Sequence, residues 1–132
     1  MPFVYEIDSH RRIVFTRAIG TLTRQDFFDY QKEVWSSPEH RYFDECVDLS
    51  AAGSIEGATE DNMTALAELA VEKDDPARPS KLAIIAVETL HFGLARMYET
   101  YRSLNPKHAR RVAVFRTREE ALRWLTGEHL AP

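Results

Sequence analysis

The chain of 132 residues holds a single cysteine, Cys46, so no disulfide can form within it and a cysteine-rich metal cluster is excluded. Its five histidines, His10, His40, His91, His108 and His129, are scattered without ligand spacing, so no metal site is expected. Only five glycines are present and none builds a phosphate-cradling loop followed by lysine, so neither a nucleotide nor another cofactor is implied. No apolar run approaches the roughly 20 residues that span a bilayer. The opening MPFVYEIDSH lacks the basic stretch and apolar core of a secretory leader. The expectation is a cytoplasmic protein with no transmembrane segment. Repeats, low-complexity tracts and Gly/Ser linkers are also absent, which leaves one domain over residues 1–132, long enough to bury a core without staples.

What is present is ordinary in amount and uneven in placement. Apolar residues make up 44% and charged residues 29%, with a net charge of -4 that argues against a nucleic-acid partner. Between Asp44 and Asp75 lie ten acidic residues and one basic one, whereas Arg96–Arg123 carries eight Lys/Arg and three Glu. Such segregation accompanies two solvated faces of one domain, and it can also steer a charged partner.

Periodicity supplies the architecture. FVYEID alternates with Phe3, Tyr5 and Ile7 on one face, and RIVFTRAIG completes an antiparallel hairpin across the turn DSHRR. TRQDFFDYQKEVWSS sets Phe27, Tyr30, Val34 and Trp35 on one helical face. YFDECVDL reads as a strand, followed by a helix carrying Met63, Leu66, Ala67 and Ala70. KLAIIAV is nearly continuous in apolar residues, as a parallel strand covered on both faces should be. The next helix has a stripe of Leu90, Leu94, Met97, Tyr98, Tyr101 and Leu104, before a last strand RVAVF and a last helix REEALRWL. The order β-β-α-β-α-β-α-β-α predicts an α/β domain: a mixed five-stranded sheet with an N-terminal antiparallel hairpin, other strands mainly parallel, and about four helices. A threonine precedes each helix start (Thr23, Thr59, Thr89 and Thr117), where its side chain would accept from an unpaired backbone N–H.

Three loops, GTLT from Gly20, SAAGSIEG from Ser50 and ETLHFG from Glu88, are expected at the carboxyl ends of the strands. If the winding of the sheet reverses there, a crevice opens between them. Glu56, Glu60, Asp61 and Glu88 surround the helix starts at that end and oppose an anionic ligand.

The element order, with DLS closing a strand and a long polar loop after it, resembles the STAS domain of anti-sigma factor antagonists. Segments such as HFGLARMYE and FRTREEALRWL are similar to those of a STAS-like branch of small stand-alone bacterial proteins, related in fold to CRAL-TRIO lipid-binding domains. The resemblance covers nearly the whole chain. It implies a non-catalytic module that binds a regulatory protein partner or a small ligand, often as a homodimer. The alternative it implies is a carrier of an apolar, lipid-like molecule. Signalling members carry a phosphorylatable serine in a pattern like DLS…IDSSG. Here the stretch is DLSAAGSIEGAT, with Gly57 and Ala58 at the serine pair, so the phosphorylation switch is missing.

Candidate binding residues follow from the loops. Ser50, Gly53, Ser54, Glu56, Gly57 and Thr59 come from the polar loop, with Thr59 also explained as an N-cap and the serines as loop polar residues. His91, Phe92, Gly93 and Arg96 come from the start of the helix that follows KLAIIAV. Phe92 lies off the apolar stripe. Gly93 costs a helix about 1 kcal/mol relative to alanine, which a close approach by a ligand, a loop or a second subunit would offset; the favoured reading is that Phe92 covers the sheet end and Gly93 lets it pack. Arg96, Glu99 and Arg102 read as a solvated charged face. Asp48, Ser50 and His91 are the ingredients of a weak hydrolase, but no nucleophile-elbow sequence surrounds Ser50. No catalytic residue is assigned. Cys46 reads as a buried structural thiol.

Overall fold

Period-two alternation at the start of the chain becomes β1 (Phe3–Asp8) and β2 (Ile13–Ala18), antiparallel with Phe3 opposite Ala18. The computed structural model describes residues 2–127, and His129 lies outside them. The chain continues through β3 (Gly20–Leu22), α1 (Arg24–Trp35), β4 (Asp44–Asp48), β5 (Ala52–Ile55) and α2 (Glu60–Lys73). It ends with β6 (Ser80–Ile85), α3 (Thr89–Leu104), β7 (Arg110–Phe115) and α4 (Arg118–Thr126). Five strands form one sheet in the order β1-β2-β4-β6-β7, antiparallel only between β1 and β2. This is the mixed sheet with four helices that the periodicity predicts. KLAIIAV supplies β6, flanked on both sides by parallel strands and buried from Leu82 to Ile85.

Two of the expected loops are strands in part. β3 and β5 pair in parallel as a separate two-stranded sheet, Gly20 opposite Ala52 and Leu22 opposite Ile55. Such three- and four-residue segments leave no periodic pattern long enough to read from sequence.

The winding of the sheet does not reverse, so the condition for a switch-point crevice is not met. From β2 to β7 each parallel strand is laid beside the one before it, always in the same direction. Parallel crossovers are right-handed, so successive crossovers that never reverse direction bring their helices to one face. Accordingly α1 and α3 pack with Val14, Leu82, Ile84 and Val112 in the larger core. Among the described residues the other face carries only α4, whose Ala121 and Leu125 pack on Ile13, Cys46, Ala83 and Ile85. One nine-residue helix cannot cover that face. Its aromatic rings are instead roofed by cations: Arg11 and Arg118 over Phe15, and Lys81 and Arg111 over Trp124. Part of the basic C-terminal segment therefore serves as cover.

Thr23, Thr59 and Thr117 cap their helices as expected, and Thr23 with Asp26 completes a reciprocal capping box. Thr117 also donates its hydroxyl to the Glu120 carboxylate. Thr89 is not a cap. The helix already includes it, and Glu88 occupies the cap position without a side-chain bond, its carboxylate lying 3.5 Å from His91 Nδ1 instead.

α3 is rotated from the expected stripe. Its inward face is His91, Ala95 and Arg102, while Leu90 is 68% and Leu104 73% exposed. Arg102, expected in solvent, is 1% exposed. Its guanidinium binds both oxygens of Asp74 at 2.8 and 3.0 Å and gives a third bond to the Tyr98 hydroxyl. A bidentate carboxylate repays the desolvation of the buried charge, which a leucine on that face would not need.

Candidate functional site

A helix places residues three and four apart on one side. On α1 this brings Arg24, Phe27, Phe28 and Gln31 over the sheet, where they roof a cavity of about 120 Å³. α2 contributes Asn62, Met63 and Leu66, α3 contributes Leu94, Ala95 and Tyr98, and Val47, Leu82 and Ile84 form the floor. Leu66 and Leu94 stay half-buried, bordering this space. The cavity runs along the strands. Its rim, at their carboxyl ends, carries Arg24, Glu56, Gly57 and Asn62; Tyr30, Gln31, Glu45 and Tyr98 line the inner end.

The rim is held by a short relay. Arg24 Nε donates to Asn62 Oδ1 at 2.9 Å, Asn62 Nδ2 donates to the Gly57 carbonyl at 2.8 Å, and the Arg24 guanidinium stacks 4.1 Å over Phe28. Gly57 has φ +70, a left-handed backbone that glycine adopts without strain. The residue at the position of the family's serine pair is thus a turn glycine at the mouth of the cavity.

Beneath the inner end lies a buried ion pair. Glu45 and Arg110 meet at 2.9 Å with side chains 2% and 4% exposed. Glu45 also accepts from the Tyr30 hydroxyl at 2.6 Å and from Trp35 Nε1 at 3.1 Å, and Thr16 lies 2.7 Å from the Tyr30 oxygen. Arg110 donates to Ser80 Oγ and to the carbonyls of Arg41 and Phe43, with its guanidinium 4.1 Å over the Trp35 ring. Burial, reinforced by the Glu45 charge, holds the Tyr30 hydroxyl well above its ordinary pKa, so it remains a donor. Burial likewise raises Tyr98, against the opposing pull of Arg102.

Of the residues that the sequence nominates, Glu56 and Gly57 reach the cavity and the others do not. Ser50 and Ser54 are exposed, and Thr59 is occupied as a cap. His91 is buried and gives its Nε2 hydrogen to the Gly53 carbonyl at 2.8 Å, tying α3 to β5. That bond takes the nitrogen a hydrolytic base would use, and the Asp48 carboxylate accepts from the Ser50 backbone N–H. Phe92 is half-buried on the core beneath Arg116, at 4.0 Å, and Arg96 lies 3.6 Å from Glu99 in solvent. Gly93 is exposed and a Cβ there would meet nothing within 4 Å, so no loop among the described residues accounts for it.

Sequence reasoning missed Arg24, Phe28, Gln31 and Glu45. Two had a legible signal. Glu45 alternates with Phe43 and Val47, which puts a carboxylate on an inward face, and Gln31 falls between Phe27 and Val34 on the inward stripe of α1.

A scan against protein-family models found no match, and a search of curated proteins found none. Among solved structures, the chain is similar to an uncharacterized protein of the DUF3478 family from Shewanella loihica PV-4, described as having a SpoIIAA-like fold. The two share 15% identity over 93% of each chain, with a TM-score of 0.60. The fold is therefore SpoIIAA-like, that is STAS-like, as the resemblance implies.

Proposed function

We propose that this STAS-like domain binds a small apolar molecule in the cavity between α1, α2, α3 and the sheet. The observation that carries it is the cavity itself, a space of about 120 Å³ walled by Phe27, Phe28, Met63, Leu66, Leu94, Val47 and Ile84 and open at one end. Protein interiors are close-packed, and an apolar void of such size forfeits contacts unless something fills it. Voids of roughly 150 Å³ hold a benzene-sized guest. The kinship with CRAL-TRIO domains that the resemblance implies points the same way.

Methylcyclohexane tests the proposal, together with native mass spectrometry of freshly purified protein for a retained guest. Methyl resonances of Met63, Leu66 and Leu94 should shift saturably on titration, and Leu66→Trp, which fills the space, should abolish the shifts. Absence of saturable shifts in the wild type overturns ligand binding.

A second property rests on α3. Leu90, Leu94, Met97, Tyr101 and Leu104 recur at alternating spacings of four and three, and Leu90, Met97 and Leu104 are exposed. A two-fold axis at Met97 sets Leu90 of one copy against Leu104 of the other and brings Leu94 within one residue of level with Tyr101, so the stripe is complementary to itself. Gly93, open and beside this stripe, permits close approach. We propose a homodimer through antiparallel α3 helices. Light scattering over a dilution series should report a dimer that Met97→Glu dissociates while circular dichroism stays unchanged. A monomer mass at every concentration sinks it.

A further inference from the structure

Gln31 is a polar side chain that borders the cavity without a protein partner, whereas the fully enclosed unpaired atoms of the described residues are Glu99 Oε1 and Arg102 Nε. It is 7% exposed, it lines the cavity, and its amide makes no hydrogen bond among the described residues. Its polar neighbours are committed elsewhere. The Tyr30 hydroxyl gives its proton to Glu45, and Glu45 is divided among Arg110, Tyr30 and Trp35. Tyr98 accepts from Arg102 at 3.0 Å, and its own O–H has no acceptor among the described residues. The inner end of the cavity therefore presents an unused amide and an unused phenolic donor. Polar groups in protein interiors are paired as a rule, so an amide and a phenolic hydrogen without a protein acceptor leave a place for a hydrogen-bonding partner from outside the chain.

Charge decides what kind of partner. Glu45 lines the same end, and its carboxylate is balanced by Arg110 alone. A second carboxylate there would be a buried anion beside an anion. An ammonium would meet carboxylate oxygens already taken and the neighbouring Arg110 charge. Either costs far more than a neutral group. The rim offers Arg24 for a charged end, but Gln31 lies seven residues further along α1, about 10 Å deeper at the helical rise.

We infer that the molecule bound in this cavity carries an uncharged oxygen, as an alcohol or carbonyl, which enters first and takes hydrogen bonds from Gln31 and Tyr98. This rests on the proposal that the cavity is a binding site, and it names the class: an apolar body with one neutral oxygen, not a hydrocarbon and not an inward-facing carboxylate.

Cyclohexanol, its near-isostere methylcyclohexane and cyclohexanecarboxylate separate the possibilities, with affinities measured by NMR titration at neutral pH. In the wild type, cyclohexanol should shift the Gln31 side-chain amide resonances and methylcyclohexane should leave them nearly in place. The carboxylate should leave them unmoved. Gln31→Met keeps the volume and removes the amide; it should weaken cyclohexanol about three- to tenfold while methylcyclohexane binds as well or better. If both neutral probes bind, cyclohexanol leaves the Gln31 amide unmoved and the substitution affects both probes alike, water is the partner of Gln31 and the inference falls while the cavity proposal stands. If neither neutral probe binds, both fall together. Should Gln31→Met fail to fold, the wild-type amide shifts alone decide.

Discussion

Replacing Glu45 by glutamine removes one charge from the buried pair and changes almost no volume. Arg110 is then left with a full positive charge at 4% side-chain exposure and no carboxylate within the core to balance it. Breaking such a pair from one side costs about 3–5 kcal/mol, because the surviving charge stays desolvated. The lower end applies here. Arg110 keeps Ser80 Oγ, the carbonyls of Arg41 and Phe43 and the face of Trp35, all of which favour a cation. Taking about 3 kcal/mol against a total stability of roughly 5–15 kcal/mol makes the loss a large fraction of the whole. Unfolding entropy near 2.1 cal/mol/K per residue, over a chain of this length, turns that into a fall of about 10 °C in Tm. Urea denaturation of the wild type, Glu45→Gln, Arg110→Met and the double variant measures it, with the double variant expected to recover part of the loss. A loss below about 1 kcal/mol in Glu45→Gln, or a double variant whose loss is the sum of the two singles, refutes the reasoning.

Cys46 is held in its protonated form by burial, with its thiol pushed up to about 11 from 9.0, so native protein at pH 8 should resist thiol reagents until it unfolds. The sign for stability follows: above pH 9 the unfolded thiol ionises before the folded one, so stability falls between pH 9 and 11, by on the order of 2 kcal/mol, and Cys46→Ala should remove that part of the slope; equal slopes in the two proteins contradict it. Thr59→Ala should cost about 1 kcal/mol in chemical denaturation and Thr89→Ala less than about 0.5 kcal/mol, since only the former caps a helix through its side chain. Incubation with a serine kinase active on STAS domains, followed by peptide mapping, should show no stoichiometric phosphate on Ser50, Ser54 or Thr59, and a modified residue that alters binding would restore the switch.

Some of this was legible because the signal was local. FVYEID and IVFTRA are legible as the strands of a hairpin and the unbroken KLAIIAV as a buried parallel strand, although Tyr5 and Ile7, which share a face with the buried Phe3, are exposed. Three of the four threonine caps follow from a hydrogen bond made within one turn of helix. The cavity was not legible, since its walls come from α1, α2, α3 and the sheet, elements brought together only by the order of the strands. Ser50, Ser54 and Arg96 were nominated by chemical type, and packing left them outside it.

The α3 helix marks the division most sharply. Its sequence by itself determined a helix whose apolar stripe is Leu90, Leu94, Met97, Tyr98, Tyr101 and Leu104; a second face, of His91, Ala95 and Arg102, lies beside it. On hydrophobicity alone the first should face inward. Only the tertiary structure decided for the second, because Asp74 stands where Arg102 can meet it with both oxygens and the Gly53 carbonyl stands where His91 can reach it. Periodicity measures where apolar side chains lie on one helix. Which stripe is buried depends on partners distant in the chain, and a charge that finds its counter-charge can be buried while leucines remain outside.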